Sequence, residues 1–142
     1  MDNSVIIKSQ LVEAKITGTP TVGARYKFLE VPNLSRNNIQ IYAVEAFGAS
    51  QLSTTPNGNT VVADADVDQI CATFVDDNNT QFVYQIPYYT LIRANNNGFL
   101  TFFKPRTINL TSCFIELTDA TGLSADEVAV FNIYYYEVQP KN

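Results

Sequence analysis

Three aspartates at alternate positions, Asp64-Ala65-Asp66-Val67-Asp68, form the sharpest chemical constellation in this chain. On an extended segment, alternate carboxylates project to one side, and a hard cation such as calcium takes several oxygens of that kind. The run imitates the opening of an EF-hand loop, but Gln69 stands where that loop needs glycine and Val75 where it needs its closing glutamate. The failed match favours a plainer reading, a solvated strand edge whose like charges discourage stray pairing. No metal and no cofactor is assigned, and calcium at Asp64, Asp66 and Asp68 stays the minority reading.

Other reaction chemistry is sparse. The chain has no histidine, which removes Ser-His-Asp and Cys-His arrangements, His-containing zinc sites and imidazole acid/base work. Two isolated cysteines, Cys71 and Cys113, cannot make a Cys-only zinc site; both sit in apolar, strand-like segments and read as small core hydrophobes. The six glycines are spread singly, so no phosphate-cradling loop is present. Hydrolysis by a carboxylate pair depends on acids that folding brings together, and spacing is silent on it. An enzyme ranks last among the readings. Three glycosylation-like triplets, starting at Asn33, Asn78 and Asn109, are expected by chance among fourteen asparagines and are set aside.

The aromatic runs Tyr88-Tyr89 and Tyr134-Tyr135-Tyr136 carry more information. On a strand, Tyr134 and Tyr136 point opposite to Tyr135, so one face belongs to the core and the other to solvent or a partner. Tyr88-Tyr89 follows Pro87 beside a loop and is expected to be exposed. Tyrosine suits interfaces because its ring is apolar and its hydroxyl tolerates water. Tyr88, Tyr89, Tyr134 and Tyr136 are therefore the candidate partner-interface residues.

The elements that must position these residues are strands. The 142 residues suit one domain spanning 1–142, with 1–20 as an N-terminal strand or arm. Fourteen asparagines and fourteen threonines describe a sheet protein rich in turns. Net charge is −5 and the nine Lys and Arg are scattered singly, so direct nucleic-acid binding is not expected. No apolar run approaches a membrane span, and no secretory leader opens the chain.

Strand candidates are residues 4–17, with alternation irregular enough to imply a bulge or a change of environment, then 25–31 and 38–47. In the last of these, Ile39, Ile41, Ala43 and Phe47 are expected on one face, with Gln40, Tyr42, Val44 and Ala46 on the other. A short strand at 60–63 leads into 66–75, and Asp76-Asp77-Asn78-Asn79 reads as a hairpin turn into 80–86. Residues 87–93 read as a helical or 3₁₀ turn before the turn Asn95-Asn96-Asn97-Gly98. Strands follow at 99–103, 113–117 and 128–138, punctuated by Lys104-Pro105-Arg106 and Asp119-Ala120-Thr121-Gly122 as turns. Eight or nine short strands without βαβ alternation predict an all-β, antiparallel sandwich, and the eight-stranded jelly roll fits count and length best.

The order Tyr84-Gln85-Ile86-Pro87-Tyr88, Asn97-Gly98-Phe99, Phe103-Lys104-Pro105-Arg106, Ser112-Cys113-Phe114-Ile115, Thr118-Asp119 and Val130-Phe131-Asn132-Ile133-Tyr134-Tyr135 resembles small single jelly-roll virion proteins of bacterial viruses. These are capsid components of the penton, minor-capsid or spike-base type. The resemblance covers about the last 60 residues and transfers no functional residue. It implies a non-enzymatic virion protein that self-assembles as a pentamer or trimer and meets other virion proteins. The competing expectation is a carbohydrate-binding or host-adhesion module using Tyr88, Tyr89 and the Asn-rich turns.

Overall fold

The first and last strands are also the longest, and they lie side by side. The computed structural model describes residues 3–31, 34, 39–92 and 100–140; the turn expected at Asn95-Asn96-Asn97-Gly98 falls outside them. β1 (Asn3–Lys15) and β9 (Glu127–Pro140) run antiparallel in unbroken register from Asn3↔Pro140 to Lys15↔Val128. Of the two alternatives for its irregular alternation, the bulge is therefore not there. The strand instead meets two apolar environments. Val12 faces the main core, while Leu11 on the opposite face packs with Val61, Val128 and Val130, beside Phe47 and Leu52.

Between these two strands lie β2 (Arg25–Lys27), β3 (Ile39–Phe47), β4 (Thr60–Val61), β5 (Ile70–Val75), β6 (Gln81–Pro87), β7 (Leu100–Arg106) and β8 (Phe114–Leu117). Two sheets result, ordered β1-β9-β3-β7 and β2-β8-β5-β6, so the protein is an all-β antiparallel sandwich. The pairings are nested: β5 with β6, β3 with β7, β2 with β8 and β1 with β9, all antiparallel. One long, folded-over hairpin thus turns at Asp76-Asp77-Asn78-Asn79, where Asp76 N–H donates to the Thr80 carbonyl at 3.0 Å. Asn79 takes a left-handed φ of 61° in that turn, a conformation asparagine tolerates better than most residues. β4 runs parallel to β9 at Thr60↔Glu127 and Val61↔Val128, beyond the last β3 pair at Phe47↔Val130.

The core fills the space between the sheets. Phe28, Phe74 and Phe131 meet with ring centroids 5.5–5.8 Å apart, and Tyr88 lies 5.1 Å from Phe131. Such contacts add to the burial of each ring, which dominates core energetics.

Two strands depart from the sequence expectations. β3 slips register between Ile41 and Ala43, so Tyr42 is an extra residue and the faces change over behind it. Ile39 and Ile41 share the main core with Val44 and Ala46, while Phe47 turns to the outer cluster. A one-residue insertion exchanges the two faces of a strand. The other correction is at Lys104-Pro105-Arg106, which belongs to β7 and is no turn. Proline is tolerated there because β7 ends its sheet, where one side of the strand needs no partner.

Candidate functional site

The four predicted interface tyrosines occupy three settings. Tyr88 opens a 3₁₀ turn, Tyr88–Leu91, and is fully buried, so it cannot be a partner surface. Its hydroxyl donates to the Phe47 carbonyl and accepts from the Val130 N–H at 3.1 Å, fastening the turn to two strands. Burial raises the phenol pKa well above its ordinary value. The exposure expected beside a loop is overturned because the 3₁₀ turn points this ring into the core, where Phe47 and Val130 take up its hydroxyl. Tyr89 stays 39% exposed.

Tyr134 and Tyr136 do share a face, with Tyr135 buried on the other side as strand alternation requires. Tyr136 stacks on the bulged Tyr42 with centroids 4.5 Å apart at 23°, and Tyr134 lies 6.3 Å from the same ring. Across β1, Ile7 stands opposite Tyr136 and is 66% exposed. The Tyr134 hydroxyl binds the Glu45 carboxylate, itself only 5% exposed. Buried acceptor and phenol satisfy each other, so this outer face of the β1-β9-β3 sheet presents fixed aromatic rings beside an apolar edge.

The aspartate run is not extended. Residues 64–69 make a 3₁₀ helix that buries Val67, and so the carboxylates turn apart. Asp64 accepts from the Ser50 N–H at 3.2 Å, while Asp66 lies near Gln69 and Gly122. Among the described residues no three potential metal ligands cluster. Cys71 and Cys113 are buried free thiols. Burial pushes the Cys113 thiol up to about 12 and raises that of Cys71, where nearby Glu116 adds to the effect. Neither thiol is poised as a nucleophile.

Further polar anchors come from pairs that sequence did not reveal. Both Glu13 carboxylate oxygens accept side-chain amides, from Asn57 at 2.6 Å and Asn59 at 3.0 Å, strapping loop 48–59 over the sheet. Lys8 pairs with the buried Glu137 at 2.9 Å. Arg106 reaches Asp76 at 2.9 Å. Among the described residues no helix is long and apolar enough to cross a membrane. Comparison with protein-family models, curated proteins and solved structures returns no match.

Proposed function

We propose that this chain is a non-enzymatic virion structural protein, a capsid component of the penton, minor-capsid or spike-base type, working by homo-oligomeric self-assembly. The observation that carries the reading is the strand order. Four nested antiparallel pairs rolled into sheets β1-β9-β3-β7 and β2-β8-β5-β6 match what two interlocked Greek keys produce, a jelly roll. Viral capsid domains are one recurrent use of that architecture. Lectins are another, so the fold by itself names no partner.

The outer face around Ile7, Tyr42, Tyr134 and Tyr136 supports self-association. Rigid tyrosines beside an exposed aliphatic edge are the composition of a protein interface. A ring needs a heterologous contact, in which this face meets a different surface of the next copy. Native mass spectrometry and mass analysis of purified particles test the reading. A closed pentamer or trimer, or the polypeptide within a particle, supports it. Substrate turnover abolished by changing one acidic residue would overturn it.

A further inference from the structure

A cleft of about 700 Å³ opens where the two sheets end, between edge strands β6 and β7. Both lips are irregular. On β6 the register passes from Ala72↔Ile86 to Phe74↔Val83, so Tyr84 and Gln85 together face Thr73. Gln85 holds a left-handed φ of 51°, with its N–H bonded to the Thr73 hydroxyl at 3.1 Å. Side chains rarely accept that backbone, and a bulge that imposes it re-aims its neighbours. Here Tyr84 is thrown outward to 59% exposure. On β7 pairing stops at Thr101 and resumes at Arg106, and residues 102–105 swing out opposite the single bulged Tyr42.

The lining joins aromatic rings to positive charge. Phe82 and Phe102 meet edge to face at 5.0 Å, and the Arg106 guanidinium lies 5.2 Å over Phe82. Arg106 is already neutralised by Asp76. Lys104 is exposed, with no ion-pair partner among the described residues. Among the described residues no carboxylate lines the cleft, although the chain carries a net charge of −5. An added peptide strand is disfavoured, because bulges blunt both edges and Pro105 offers no N–H. Recognition must come from side chains.

We propose that this cleft binds a carboxylate-bearing saccharide of two to three rings. Sugar rings present apolar C–H faces to Tyr84 and the Phe82–Phe102 pair. The unneutralised ammonium of Lys104 takes a single carboxylate, and the Gln85 amide and Thr101 hydroxyl are available to sugar hydroxyls. A polyphosphate would need more free cations than the described lining residues offer. The cleft volume suits a ligand of this size. The inference is independent of assembly: binding and oligomerisation fail separately.

Saturation-transfer NMR on the full chain tests it with trigalacturonate, its methyl ester and a hexaglutamate peptide. Trigalacturonate is expected to bind about tenfold or more tighter than the ester, the discrimination of one charge-assisted contact. Lys104→Gln is expected to erase that ratio, and Tyr84→Ala to weaken both sugars. Both residues are exposed, and an unchanged unfolding midpoint verifies that each variant is folded. Equal binding of acid and ester, binding indifferent to Tyr84→Ala, preference for hexaglutamate, or no transfer from either sugar would each overturn the proposal.

Discussion

Single side chains fasten this sandwich where backbone pairing cannot. The Tyr88 hydroxyl satisfies a carbonyl of β3 and an N–H of β9 inside the core. Tyr88→Phe keeps the ring and leaves both groups buried without that partner, at a cost of about 1–3 kcal/mol. Urea unfolding at neutral pH measures it, as a lower midpoint with an unchanged slope. Asp76 makes a different prediction. Burial works to raise its pKa, but the N–H groups of Thr80 and Asn78 and the Arg106 guanidinium outweigh it, and the net shift is downward. A carboxyl with a lowered native pKa stabilises the fold above the ordinary carboxylate range, and that contribution is lost as pH falls through the lowered value. Asp76→Asn is therefore expected to be less stable than wild type at neutral pH, with the difference closing in acid. Urea midpoints from neutral pH down to about pH 3 would show the two curves converging. The hairpin turn containing Asp76 was legible in Asp76-Asp77-Asn78-Asn79, whose residues cap and reverse chains by themselves. The burial of Tyr88 was not, because a turn after proline reads the same whether it faces solvent or core.

Strands were legible where alternation or β-branching is dense, and illegible where tertiary packing inserts a residue. β6, β8 and β9 lie close to the segments expected of them, while β5 fills only the later part, 70–75, of an expected 66–75. The Tyr42 bulge was invisible because the residues around it, Ile41, Ala43 and Val44, are apolar in either register. The aspartate run failed differently: a period of two suits a strand, yet burying Val67 bends residues 64–69 into a 3₁₀ turn. The cleft was illegible as well, since it arises from two bulges on strands that meet only in three dimensions. At the element scale the β6 bulge is the place to test stored strain. Gln85→Gly relieves a left-handed conformation that costs a residue with a Cβ about 1–2 kcal/mol. Part of that gain is offset by the greater freedom glycine gives the unfolded chain. A net stabilisation, read as a raised thermal midpoint, is expected. A lowered midpoint would mean that the Gln85 side chain itself holds the bulge.

For the whole molecule, pairing of the two ends of the chain governs behaviour. β1 and β9 pair across more than a hundred residues of intervening chain, and such non-local pairings make folding slow relative to helical domains of equal size. Assembly belongs to this scale too. Ile7→Lys removes an exposed apolar side chain without touching the core, so unfolding is expected to move little. On the proposed self-assembly, sedimentation of this variant is expected to show the oligomer falling to monomer, since loss of an anchor residue can weaken an interface by about 2 kcal/mol or more. In the β1-β9-β3-β7 sheet, Asn3 sits across from Pro140 on the flank away from β7. A surface tether or a fluorescent partner fused at either extremity would therefore leave from one shared corner. Captured that way on a sensor chip, the molecule would turn its β6–β7 flank outward to whatever is flowed past.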